Sequence, residues 1–179
     1  TTVEAALAEL AGTGRTTESL KSLADLISTH VANLVTNPGG VHGLSIESGT
    51  FTPFIAGTTT AGINTYSIQT GFYRKIGNVV FFHLTITMTA KDAAMAGTAY
   101  IGGLPFTSSI KSTNLYYYPA VGDFSYIDLG TRTQLSARVY RGTSTIQLIS
   151  CDAVGGSSIL SVSTISNTSN ISLSGFYEV

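Results

Sequence analysis

The sequence predicts a mainly β protein: an antiparallel β-sandwich head, jelly-roll-like, preceded by a short α-helical stem. Two observations predict it. In the opening region Leu20, Ala24, Ile27, Val31 and Leu34 follow one another at heptad-like steps, which places all five on one stripe of a helix. After Asn37-Pro38-Gly39-Gly40 the period becomes strict alternation: Val80, Phe82, Leu84, Ile86 and Met88 point to one side of an extended strand, and Val79, Phe81, His83, Thr85 and Thr87 to the other. The change of period separates a stem and linker, 1–40, from a β-sandwich head, 41–179.

In chain order, Val3, Ala6, Leu7 and Leu10 have helical spacing, and Gly12 and Gly14 end that first helix. Thr16 or Thr17 caps a second helix, and Glu18 in its first turn complements the helix dipole. The second helix stops near Leu34 or Val35, because proline disfavours helical geometry in the residue before it. Its narrow stripe needs a partner. Packing onto the β-region of the same chain and a parallel bundle with further copies are both open from periodicity, since two heptads are fewer than a coiled-coil assignment requires. In the second case Leu20, Ala24, Ile27, Val31 and Leu34 form the core of a trimeric stem.

From Ser48 onward short strands recur between turn signals, as in sandwiches and jelly rolls. Strands are expected at 49–55, 65–69, 71–76, 78–89, 97–102, 115–121, 124–129, 134–140, 145–151, 159–163 and 171–179. Gly77-Asn78 has the chemistry of a tight hairpin; Gly142-Thr143 and Gly155-Gly156 mark further turns. The aromatic ending Gly175-Phe176-Tyr177 fits a strand locked into a sheet.

Only 11% of the 179 residues are charged, against roughly 25% in typical soluble domains. No apolar run is long enough to cross a bilayer, so no membrane insertion is expected and the positive mean hydropathy comes from β-branched and aromatic residues among Ser, Thr and Gly. Surfaces of hydroxyls instead of charges suit extracellular β-structures and assembled oligomers. A net charge of −1 and dispersed basic residues, densest at Arg74-Lys75 and Arg138/Arg141, argue against a nucleic-acid partner. The single Cys151 cannot form an internal disulfide and reads as a small buried residue. The chain shows no signal peptide and opens at Thr1 without Met, which points to a piece of a longer polypeptide.

Chemistry-bearing motifs are sparse, and no catalytic residue or cofactor is assigned. His30, His42 and His83 fall on a helix, a linker and a strand, with no ligand spacing, so no metal site is assigned; stacking of His30 or His83 around a threefold axis is the arrangement that sequence leaves open. Asp123 and Asp128 flank one strand and are the carboxylates best placed to meet a saccharide, although strand-end aspartates are ordinarily turn residues. Neither a nucleophile-elbow serine nor a phosphate-cradling loop is present.

Tyr116-Tyr117-Tyr118 is more informative. Aromatic rings bind the apolar faces of sugars, and on a strand Tyr116 and Tyr118 share one face while Tyr117 takes the other. Packing between sheets or subunits is the competing reading. Tyr116, Tyr118, Asp123, Tyr126 and Asp128 are therefore the candidate glycan-binding residues.

Several motifs together carry a family resemblance. Gly49-Thr50-Phe51-Thr52-Pro53, Gly57-Thr58-Thr59-Thr60-Ala61-Gly62, Gly71-Phe72-Tyr73-Arg74-Lys75-Ile76-Gly77-Asn78-Val79-Val80, Ile101-Gly102-Gly103-Leu104-Pro105-Phe106 and Ser174-Gly175-Phe176-Tyr177 resemble a β-module of tailed-bacteriophage tail-fibre, tailspike and other appendage proteins. That module opens on G-x-[WF]-T-P, has a G-x-Y-x-K-I-G-N-V-V hairpin and an I-x-G-L-P-F turn, and closes on S-G-x-Y. Phe51 stands where Trp is more usual. The resemblance covers nearly the whole chain. It implies a homotrimeric virion appendage, a tail fibre or receptor-binding head, and singles out no binding residue.

The expectation is thus a non-enzymatic phage fibre head on the virion surface, made in the cytoplasm of an infected bacterium. Its partners would be itself as a homotrimer, other virion proteins through the stem, and host cell-surface polysaccharide. A capsid head-fibre or decoration protein with a structural role is the alternative within the class. From other classes, an accessory domain or weak glycosidase of a polysaccharide depolymerase and a bacterial carbohydrate-binding module remain.

Overall fold

The computed structural model describes residue 5, residues 17–36, 45–110 and 116–179, with the side chains of 17–20, 30 and 32–36 excepted. The chain divides into two compact units, Thr1–Ile46 and Glu47–Val179. In the first, helix α1 spans Thr17–Thr36. Ala24, Ile27 and Val31 of its stripe are solvent-exposed in the single chain, Ile27 at 55% and Val31 at 53%. Lys21 Nζ donates to Asp25 Oδ2 at 2.7 Å one turn on. The expected first helix at 3–10 lies outside the described residues except for Ala5, which is helical. The side chains of Leu20, His30 and Leu34 and the linker with His42 lie outside them as well.

The second unit is built of two sheets: β1 (Ile46–Phe51), β3 (Thr65–Ile76), β4 (Val79–Ala90), β10 (Ile165–Glu178) and β6 (Ala120–Ile127) form one, in the order β1-β3-β4-β10-β6. The other runs β2 (Phe54–Gly57), β5 (Ala99–Gly102), β8 (Ile146–Cys151) and β7 (Gln134–Val139), with β9 (Ser157–Ile159) also paired to β8. The pairs β3–β4, β4–β10, β10–β6, β2–β5, β5–β8, β7–β8 and β8–β9 are antiparallel. The buried faces of both sheets belong to one core.

The alternation of β4 is what orients the first sheet. Val80, Phe82, Leu84, Ile86 and Met88 all face inward, none more than 5% exposed. They meet Ile171, Leu173 and Tyr177 of β10 on their own sheet, and Ile101, Ala137, Val139, Ile146 and Leu148 from the other. The opposite face of β4 carries the half-exposed Phe81 and a polar ladder running across to β10 and β6. His83 Nδ1 bonds Ser174 Oγ at 2.7 Å, Thr85 Oγ1 bonds Ser172 Oγ at 2.9 Å, Thr87 Oγ1 donates to Asn170 Oδ1 at 2.9 Å, and Asn170 Nδ2 donates to Asp123 Oδ2 at 2.8 Å.

Several boundaries differ from the sequence expectation, each for a local reason. The stretch 65–76 is one strand: Gly71 pairs with Leu84 in mid-ladder, and a β-carbon there would lie 2.5 Å from the Phe51 ring. The glycine marks a close ring approach and not a turn. The stretch 49–55 is instead interrupted at Thr52-Pro53, where the chain passes from the first sheet to the second and the proline has no N–H for a ladder. Between 116 and 127 the ladder begins only at Ala120, after Pro119, and Tyr117 makes an isolated bridge to Val139. The strand expected at 159–163 becomes β9 followed by a 3₁₀ turn, Val162–Thr164, capped by Ser161, whose Oγ accepts from Ser163 N at 3.2 Å. The last strand starts at Ile165, earlier than its polar run 166–170 announced, because Ser169 is buried there and donates to the Tyr126 carbonyl at 2.6 Å. The β3–β4 hairpin is tight as expected, and Gly77 takes the positive φ of 59° that its first central position needs.

Candidate functional site

The outer face of the second sheet carries an aromatic and basic strip. Antiparallel register sets Tyr100 of β5, Gln147 of β8 and Arg138 of β7 in one cross-strand row, and Arg138 Nε donates to Gln147 Oε1 at 2.8 Å. At one end, Phe54 packs edge-on to Tyr100 with ring centroids 6.5 Å apart. Phe54 lies across Gly102, where a β-carbon would stand 2.4 Å from the ring, so the glycine of the Gly102-Gly103-Leu104-Pro105 turn is what lets this ring settle.

At the other end two guanidinium groups stand against the Tyr116 ring, Arg138 Cζ 4.5 Å and Arg141 Cζ 5.8 Å from its centroid. Tyr118 and Tyr140 adjoin Tyr116 at 6.5 and 6.3 Å, and Tyr118 is 64% exposed. Between the two ends is a cleft of about 330 Å³ lined by Thr58, Thr98, Tyr100, Tyr140, Thr145 and Gln147. Two of its hydroxyls, Thr58 Oγ1 and Thr98 Oγ1, share a hydrogen bond of 3.1 Å. Stacking surfaces, hydroxyls and fixed N–H donors thus line one concave surface, the arrangement in which a ring is held by its faces and oriented by its polar edge.

The residues singled out from sequence distribute over three places. Tyr116 and Tyr118 stand in the strip, on the same side as expected, while Tyr117 turns to the core and meets Phe176 at 6.3 Å. Asp123 belongs to the polar ladder of the first sheet, held by Asn170. Tyr126 and Asp128 line a separate cleft of about 370 Å³ with Ser163, Thr164 and Ser166. Asp128 Oδ1 there accepts from Gly130 N at 2.8 Å, the ordinary work of a turn aspartate. Tyr126 holds a φ of 56°, uncommon for a bulky side chain.

Phe54, Tyr100, Arg138, Tyr140, Arg141 and Gln147 join the strip without having been singled out as binding residues. Arg138-Val139-Tyr140-Arg141 was visible as a basic pair around a tyrosine, but only the β7–β8 register brings it beside Tyr116 and Gln147. Among the described residues no three His, Cys, Asp or Glu side chains converge, and no helix is long and apolar enough to cross a membrane.

No protein-family model and no curated protein matches the chain. Among solved structures, it is similar to the crystal structure of the Dettilon tailspike protein, with a TM-score of 0.60 and 23% sequence identity over 74% of this chain. The chain spans 24% of that tailspike chain. The two share a fold over that region.

Proposed function

We propose that this chain is a virion fibre protein of a tailed bacteriophage, non-enzymatic, whose trimeric, jelly-roll-like β-head attaches to glycan on the host cell surface. The observation that carries the binding part is the strip in which Tyr100 and Tyr140 line a cleft bearing threonine hydroxyls and Gln147, with Tyr116 and Tyr118 adjoining Tyr140 at its end. Its rings offer stacking faces at low ordering cost, and its Thr58 and Thr98 hydroxyls are bonded to one another, ready to exchange partners with a sugar. The fold held in common with a tailspike protein and the motifs of the hairpin and Leu-Pro-Phe turn support the virion part. Trimer formation accords with the exposed Ala24, Ile27 and Val31 of α1, and with the half-exposed Phe72, Phe81 and Phe176 on the outer face of the first sheet. Threefold presentation would raise weak single-site binding through avidity.

The test is binding of the full chain to an array of bacterial surface polysaccharides. Wild-type protein is expected to bind a subset, and Tyr116→Ala and Tyr118→Ala each to weaken that binding roughly three- to tenfold, the worth of one lost ring contact. Undiminished binding in both variants would move the site elsewhere on the head. An absence of wild-type binding across the array would remove the receptor-binding reading.

A further inference from the structure

Resting on the glycan-binding reading of the strip, we infer that its ligand is an anionic glycan, one whose sugars carry a carboxylate or a phosphate substituent. Two guanidinium groups gather at a single tyrosine ring, and among the described residues neither Arg138 nor Arg141 forms an ion pair. An arginine drawn into the interior is ordinarily paired, but none of the side chains lining the cleft beside these two is acidic. Arg141 Nη1 is enclosed and without a hydrogen-bond acceptor, so the charge of that side chain is uncompensated as well as crowded.

The orientation is also set for an oxyanion. Gln147 Oε1 accepts from Arg138 Nε, the Tyr116 ring stands 4.5 Å from the guanidinium carbon, and the two terminal nitrogens, the fork edge of the group, make no hydrogen bond among the described residues. That edge is the one that meets carboxylates and phosphates in a bidentate fork. Gln147 also lines the cleft, so a sugar ring resting against Tyr100 and Tyr140 lies next to the arginine edge. A neutral glycan would leave both positive charges unused, whereas an acidic one gains a charge-assisted bond on top of stacking. With a net charge of −1 for the whole chain, long-range attraction does not supply this preference; the local pair does.

The experiment compares acidic and neutral bacterial surface polysaccharides as probes for the full chain, each acidic one also after carboxyl reduction or after removal of its phosphate. The inference expects binding confined to acidic polymers and a loss of roughly tenfold or more in Arg138→Gln, the scale of a charge-assisted hydrogen bond. Gln147→Glu serves as the second variant: it sets a carboxylate against Arg138 Nε, neutralises the arginine in place with the head still folded, and should reproduce the loss. Sensitivity to carboxyl reduction identifies a uronic-type sugar, and sensitivity to dephosphorylation a phosphate-bearing one. Binding to neutral polymers that both variants retain overturns the inference while leaving the glycan reading intact. Binding to no polymer overturns both.

Discussion

Tyr177 is fully buried, and its hydroxyl donates to the Phe106 carbonyl at 3.1 Å and accepts from Phe106 N at 3.3 Å. Those two bonds close the Leu104-Pro105-Phe106 turn over the last strand, which is why a motif in the middle of the chain and one at position 177 belong together. Burial, opposed in part by the backbone bond, pushes this phenol up to about 12. An unfolded tyrosine ionises near pH 10, so the contribution to stability is complete below that pH. It then falls by ~2–3 kcal/mol as pH rises from about 10 through about 12. Tyr66, raised by burial in the same direction, donates to the Ile55 carbonyl and adds to the trend. Melting curves taken between pH 8 and 12 should show this alkaline loss, and Tyr177→Phe should flatten it while lowering Tm at neutral pH. A Tyr177→Phe protein with the same alkaline slope as the wild type would assign the effect to other groups.

Among the elements, β4 carries the greatest burden: its inner row shares one core with β10 and with β2, β5, β7 and β8 of the second sheet, and its outer row anchors the polar ladder. Leu84→Ala at the centre of that row removes a fully buried side chain from a core closed on both sides, where collapse is restricted. The expected cost is about 3 to 5 kcal/mol, read as a shift of the denaturation midpoint with unchanged slope. His83→Ala on the opposite face removes one exposed hydrogen bond and should cost less than about 1 kcal/mol. Near-equal costs at the two positions would contradict the assignment of faces. Helix α1 is the reverse case, with Ile27 and Val31 more than half exposed in the single chain. A helix of this length with an uncovered stripe gains little on its own.

At the scale of the whole molecule, the low charge, the exposed Ala24, Ile27 and Val31 of α1 and the half-exposed Phe72, Phe81 and Phe176 all favour assembly. Light scattering coupled to size exclusion should return three times 18.7 kDa for the full chain. The combined Leu20→Ser, Ile27→Ser and Leu34→Ser variant should return a single copy with the head still folded, because the substitutions lie in the first unit. A trimer that survives those substitutions would place assembly on the head, and a monomeric wild type would end the trimer proposal.

How much of this was legible beforehand follows from which interactions are local. The two periodicities specified helix and strand faces by themselves, because side-chain direction repeats every 3.6 residues in one and every two in the other. The Gly77 hairpin also came from local backbone preferences, and Tyr116 and Tyr118 could be set on one side of the chain by alternation alone. What those residues stand beside was not local. Tertiary structure alone brought Arg138, Gln147 and Tyr100 into one row, because strand register decides cross-strand neighbours and positions 100, 138 and 147 share no sequence window. It likewise separated Asp123 and Asp128, which sequence had grouped, since a strand with bulges sent one to a polar ladder and the other to a turn. Composition and period thus determined that there is a helical segment and a β-head with a hydroxyl-rich surface; the pairing of distant strands, whose closure no single segment encodes, decided where on that head the aromatic and basic strip stands.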